Sequence, residues 1–263
     1  MSTPIVRVSG LHKTYVSEKG DHVALSGVSF EVERGEVVAI VGPSGAGKTT
    51  VLRIIAGLLE PSAGRAEVAG QLVNGEPPKE VGFVFQDYSR SLLPWLSVLG
   101  NVTFPLRSKG LPRPEAVARA REALDAVGLG GRERAHPREL SGGMQQRVAI
   151  ARAIAYEPEL LLMDEPFASV DAQTRMDLED LVLPLRDRFG VTIVFVTHDV
   201  DEAVYLSDRV VVLTPPPSVV SRIVDVPLPQ PREQHATKSD PRFAQLRGEV
   251  LDLVRAPALV KGA

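Results

Sequence analysis

The run Gly42-Pro43-Ser44-Gly45-Ala46-Gly47-Lys48-Thr49 brings three glycines, a lysine and two hydroxyls into one short stretch. Residues of these types at this spacing form a phosphate cradle, the P-loop pattern. The glycines let successive backbone N–H groups turn inward on phosphate oxygens, and a helix starting behind them presents its positive end. Lys48 would reach the β- and γ-phosphates of a nucleoside triphosphate, and the Thr49 hydroxyl would ligate Mg2+. Such a site also needs an acidic partner on another strand. Leu160-Leu161-Leu162-Met163-Asp164-Glu165 supplies it, an apolar strand closed by two carboxylates at the end where α/β sheets bind ligands. Asp164 would hold Mg2+ through water, and Glu165 would polarise the attacking water as general base.

Both motifs sit where the hydrophobic pattern expects strand ends. Glu36–Val41 is a run of the kind buried on both faces of a sheet, and Lys48 to about Leu59 reads as a helix stopped by Pro61 and Gly64. Ahead of it, Ile5–Val8 and Val28–Val32 alternate apolar and polar residues, with Gly20, Gly27 and Gly35 marking turns. Val81–Phe85 is a further strand, ending at Gln86. From Asp87 to about Glu139 the character changes, with prolines at 94, 105, 112, 114 and 137 and an amphipathic helix over Pro114–Val127 between them, so this block reads as a mainly helical insertion. Ser141 N-caps a helix to about Tyr156. Strands over Leu160–Met163, Val191–Thr197 and Arg209–Leu213 alternate with helices over Gln173–Phe189 and Val200–Leu206, which argues a parallel, helix-covered sheet. Pro184 is expected to kink its helix. Thr214–Ser218 and Pro227–Pro231 are breaks, and Asp240-Pro241 starts a tail helix with Phe243, Leu246, Val250, Leu251 and Val254 on one face.

Composition narrows the function classes. The 263 residues are 44% hydrophobic and 24% charged with a net charge of −3, enough apolar material for a sizeable core and no basic field for nucleic acid. The absence of cysteine excludes disulfides, a Cys-based zinc site and a thiol nucleophile. The start of the chain has no secretory pattern, and the longest apolar runs are strand-length. A cytoplasmic protein is expected, with any membrane role exerted through a partner.

Leu140-Ser141-Gly142-Gly143-Met144-Gln145-Gln146-Arg147 decides between the possible P-loop families. With the P-loop upstream and Asp164-Glu165 downstream, it resembles the signature motif of the ATP-binding cassette (ABC) ATPases. The resemblance covers roughly residues 5 to 215. It implies an α/β fold of the ABC ATPase type, with an N-terminal antiparallel β part and a mainly helical subdomain inserted in the core. The corresponding organisation is a nucleotide-binding core in two parts, 1–86 and 154–215, a helical subdomain with the signature over 87–153, and a tail over 216–263. The implied ATP contacts are Tyr15, stacking on adenine, and Gly42, Pro43, Ser44, Gly45, Ala46, Gly47, Lys48, Thr49 and Thr50. Ser141, Gly142, Gly143 and Gln145 would face the γ-phosphate held by a second protomer, in a head-to-tail dimer with two composite sites. Gln86 resembles the Q-loop glutamine that senses Mg2+ and the γ-phosphate, so Thr49, Gln86 and Asp164 form the implied Mg2+ set. His198, after a β-branched strand, resembles the switch histidine. Ser169-Val170-Asp171 resembles the D-loop, with Val in place of the usual Leu. Asp171 would cross the dimer seam, and by itself it is also an N-cap of the following helix.

Leu92-Leu93-Pro94-Trp95, Phe167–Arg175, Thr197–Arg209 and the tail sequence Asp240-Pro241-Arg242-Phe243 look like the nitrate/sulfonate/taurine group of importer ATPases. The partners implied are a second ATPase subunit (identical or related), transmembrane permease subunits docking near Tyr88–Leu99, and an extracytoplasmic solute-binding protein, with no nucleic acid. The chain would sit peripherally on the cytoplasmic face of the membrane. Trp95 is open to two roles, packing or docking. The rival readings are the ATPase of a separate-subunit exporter, a non-transport ABC ATPase, and a cassette that binds ATP as a switch.

Overall fold

The computed structural model describes residues 3–18, 20–87 and 91–256. Two antiparallel strands open it, β1 (Val6–Tyr15) and β2 (His22–Val32), followed by β3 (Val37–Val41), α1 (Lys48–Ile55), β4 (Ala63–Val68) and the short β5 (Gln71–Leu72). After β6 (Val81–Val84) come three helices, α2 (Val98–Ser108), α3 (Arg113–Ala126) and α4 (Gly142–Ala155). Then follow β7 (Leu160–Asp164), α5 (Ala172–Phe189), β8 (Thr192–Val196), α6 (Val200–Leu206), β9 (Arg209–Leu213) and β10 (Val220–Asp225). The short α7 (Gln234–Lys238) and the longer α8 (Pro241–Arg255) close the described chain. The fold is the α/β type expected, an antiparallel part, parallel strands and a mainly helical segment.

The chain forms two compact units, Met1–Glu80 with Thr192–Ala263, and Val81–Val191. In the first, β1 pairs antiparallel with β2 and β4, and β4 with β5. Also in this unit, β3 lies between β8 and β9, parallel to both, and β10 runs antiparallel along β9. Every residue of β3 and β8 is buried, as a strand covered on both faces requires. In the second unit β6 and β7 pair in parallel, and α2, α3 and α4 pack on one another.

Helix α2 lies in the block read as mainly helical, and Pro105 falls in its interior. A proline interior to a helix costs about 3 kcal/mol. Here Val98, Val102 and Leu106, at i, i+4 and i+8, are fully buried. Burial of a large aliphatic side chain contributes roughly 1.5–3 kcal/mol, so three of them outweigh the proline. Asn101 adds to this from one turn earlier: its buried side chain accepts from Leu93 N–H (2.7 Å) and donates to the carbonyls of Leu93, Leu96 and Ser97. The strands β4 and β10, both largely exposed and without clean alternation, are not registered by sequence periodicity. Pro184 lies inside α5, which continues to Phe189 and ends on Gly190 in the left-handed conformation.

Candidate nucleotide and catalytic site

The first unit carries the phosphate loop. β3 ends at Val41 and α1 begins at Lys48, with the glycine-rich segment between them. Gly47, the N-cap of α1, has φ 77° and ψ 17°, and a Cβ there would lie 2.7 Å from Leu25 Cδ2. Conformation and packing therefore both demand glycine at that position. No side chain caps α1 and no acidic residue occupies its first turn, so the positive end of the helix is left for an anion. Lys48 is buried, and its ammonium donates to the carbonyls of Gly42 (2.9 Å) and Pro43 (3.2 Å), at the mouth of the loop. The Tyr15 hydroxyl bonds Thr50 Oγ1 (3.1 Å), tying the end of β1 to the first turn of α1. Lys13 Nζ lies over the Tyr15 ring, 5.4 Å from its centre, and donates to the Glu60 carbonyl (2.8 Å). A glycine-rich loop, a helix N-terminus and the Lys48 ammonium fit a polyphosphate.

His198 belongs to the same unit and is exposed just beyond β8. Its neighbours are anchored. The Thr197 hydroxyl donates to Glu202 Oε2 (2.5 Å) and accepts from Asp199 N–H (3.0 Å), while the Asp199 carboxylate caps α6 through the N–H groups of Asp201 and Glu202.

The second unit carries the carboxylates. Asp164 is the buried last residue of β7. Glu165 follows in the left-handed region, φ 44°. A bulky residue held there costs about 1–3 kcal/mol, and such strain gathers at functional sites. Gln86 Nε2 donates to Glu165 Oε2 (3.1 Å), so the end of β6 and the end of β7 meet through the two side chains picked out by position. One residue that the sequence did not single out joins them. Gln146 is fully buried, and its amide donates to the Pro166 carbonyl (2.6 Å), so α4 grips the chain directly behind Glu165. Gln145, which the resemblance places in the signature set, donates within this chain to the carbonyls of Pro137 and Leu140 and shapes the entry to α4. A pair of adjacent glutamines gives no sequence signal for which one turns inward; the helical face does.

Ser141 caps α4 by accepting from Met144 N–H (3.3 Å), and Asp171 caps α5 by accepting from Thr174 N–H (3.0 Å) and the Thr174 hydroxyl (2.7 Å). These bonds from Thr174 hold the Asp171 carboxyl below the usual carboxylate range. A depressed folded-state pKa means stability present above the unfolded-state value and lost as pH falls through the folded one. Asp171→Asn keeps the acceptor but cannot titrate, so the stability advantage of the natural chain over this variant should shrink below about pH 4. Denaturant melts of both proteins across the acid range measure this, and a constant difference would refute it.

Trp95 is 72% exposed and takes no part in the core. Of the expected docking segment, 88–90 lie outside the described residues. Among the described residues no helix is long and apolar enough to cross a membrane.

A phosphate loop on a parallel strand, a strand-end carboxylate pair and a second glycine-led helix define a P-loop nucleoside triphosphatase. The ABC transporter family profile matches residues 25–168, and the chain belongs to that family. It is an ATP-binding ATPase. It is 42% identical over 255 residues to the nitrate import ATP-binding protein NrtD of Synechocystis sp., covering 95% of each chain. It is 44% identical to the aliphatic sulfonates import ATP-binding protein SsuB 2 of Burkholderia lata over 95% of this chain and 86% of that protein. Among solved structures, a dimeric post-hydrolysis state of an ATP-binding cassette bound to ADP and Pi matches with TM-score 0.74 and 35% identity, over 84% of this chain and 98% of that one.

Proposed function

We propose that this chain is the ATP-hydrolysing subunit of a multi-subunit importer, pairing head to tail around two ATP molecules and driving a separate permease. The contact between Gln86 and Glu165 carries the reading: it joins the carboxylate that would orient water to the segment leading into the helical unit. Hydrolysis is an in-line attack of water on the γ-phosphorus, breaking its bond to the β-phosphate oxygen and releasing ADP and phosphate. Glu165 accepts a hydrogen bond from that water and aligns it. Lys48 exchanges the carbonyls of Gly42 and Pro43 for phosphate oxygens, so its charge is already in place when negative charge shifts. Tyr15 offers its open face to adenine, and His198 reaches the γ-phosphate. The Thr49 hydroxyl, the Asp164 carboxylate and the Gln86 amide oxygen are hard oxygen donors of the kind Mg2+ takes. When bound, the ion neutralises charge on the β- and γ-oxygens.

In the dimer, Ser141, Gly142 and Gly143 of one protomer complete the phosphate site of the other, and Asp171 stands beside them. The cargo is a small solute, with anions favoured because relatives named for nitrate and sulfonate import are about equally similar. The exposed Trp95 belongs to the surface offered to the permease at the cytoplasmic face of the membrane. A solute-binding protein would deliver the cargo.

Protomer mixing tests the composite site. Ser141→Arg and Lys48→Ala chains should each be inactive alone and regain hydrolysis when combined, because one of the two sites then has both parts intact. No recovery on mixing would mean that each chain hydrolyses ATP by itself. Vesicles carrying the ATPase with its permease should accumulate solute inward, and outward flux would identify an exporter.

A further inference from the structure

Arg232, in the tail beyond the motifs, has a side chain only 1% exposed. One guanidinium nitrogen, Nη1, donates to the carbonyls of Tyr205 (2.8 Å), Ser207 (2.8 Å) and, at 3.5 Å, Val204. The other, Nη2, donates to Val226 O (3.3 Å) and lies 3.9 Å from Asp208 Oδ1. Val204 to Ser207 are the last turn of α6 and its C-cap. A helix ends in carbonyls without intrahelical partners and with negative partial charge, which a planar, multiply donating cation satisfies. Arg232 therefore closes the C-terminal end of α6 as Asp199 closes the N-terminal end.

The helix so held is only seven residues long, and His198 stands two residues before it. At its front, the buried Glu202 of α6 is fixed to Thr197, on the other side of His198. Arg247 of α8 pairs with Asp201 in the first turn. At its back, Asp208 accepts from Val37 N–H (2.9 Å), joining the exit of α6 to the start of the strand that leads to the phosphate loop. A short rigid element gripped at both ends transmits a displacement of one end to the other.

We infer that Arg232 is a positioning residue for His198: through the C-terminal carbonyls of α6 it sets where the Thr197–Asp199 turn holds the imidazole. This rests on the reading of His198 as the γ-phosphate contact. It gives the tail a part in hydrolysis, because the segment between β10 and α7 supplies the clamp.

The test uses the full chain. Arg232→Met keeps an unbranched stem as far as the Nε position and removes every donor. A misplacement of a reacting group by about 1 Å can cost as much as 100-fold, so kcat should fall on the order of ten-fold while KM for ATP changes less than about two-fold. In a His198→Ala background the same substitution should cost almost nothing further, since residues acting as a unit are not additive. The His198 ring resonances, read by NMR in histidine-labelled protein without nucleotide, should shift in Arg232→Met and return toward the natural positions in Arg232→Lys. Unchanged kcat and unchanged His198 resonances in a folded Arg232→Met chain would overturn the inference, as would full additivity with His198→Ala. If Arg232→Met does not fold, Arg232→Gln takes its place: its short amide cannot span the carbonyls of Tyr205, Ser207 and Val226, and resonances and kcat identical to the natural chain would overturn the inference equally. His198→Ala with undiminished turnover would instead remove the role of His198 itself.

Discussion

Glu165→Gln is expected to bind ATP as the natural chain does and to lose turnover by on the order of 100- to 1,000-fold, the scale on which a positioned general base contributes. The substitution is narrow. Glutamine has the same length, its carbonyl oxygen can accept from Gln86 Nε2 as the carboxylate does, and the left-handed backbone at φ 44° costs both residues alike. What disappears is the negative charge that aligns and polarises the water. ATP should therefore remain in place after binding, and a nucleotide-dependent dimer should accumulate in gel filtration. Phosphate release under single-turnover conditions gives the rate. Hydrolysis within two-fold of the natural chain would remove Glu165 from the mechanism and leave Gln86–Glu165 as a structural contact.

The second large effect is steric. A Cβ added at Gly143 would stand 2.2 Å from Thr174 Cγ2, far inside van der Waals contact. Thr174 cannot simply rotate away, because its N–H and its hydroxyl are both committed to the Asp171 carboxylate. Gly143→Ala must then push the first turn of α4 off the first turn of α5. Overpacking of this kind costs about 1–3 kcal/mol. These two turns carry Ser141 and Asp171, the groups meant to face a second protomer, so ATP-driven pairing and hydrolysis should fall on the order of ten-fold or more. The same geometry prescribes a rescue. Thr174→Ser deletes the methyl and keeps the hydroxyl, so the double variant Gly143→Ala/Thr174→Ser should recover stability and most activity. The coupling between the two sites should reach roughly 1–3 kcal/mol in a double-mutant cycle. Losses that simply add would mean that the glycine serves the partner's phosphate alone.

The chemistry was legible because each motif is contiguous and its geometry local. Gly42–Thr49 contains its own turn, its own cation and its own helix start, and Ser141 and Asp171 announce the helices they cap. Fully apolar strands such as Val37–Val41 also read directly, since burial on both faces leaves a continuous run. Elements whose stability comes from packing were less readable. Helix α2 survives Pro105 because Val98, Val102 and Leu106 find a shared interior, and nothing in the local sequence states that this interior exists.

By itself, then, the sequence determined where the glycine-rich loop and its helix start lie, which strand ends carry carboxylates, and that the chain is an ABC ATPase, because backbone conformation and capping depend on neighbours a few residues away. Only the tertiary structure decided that Gln146 rather than Gln145 grips the chain behind Glu165, that Gly143 is bounded by Thr174, and that Arg232 closes the helix next to His198. Those contacts join residues 20, 31 and up to 28 positions apart. Donor and acceptor at such separations are brought together by packing of whole elements, which leaves no pattern in the chain between them.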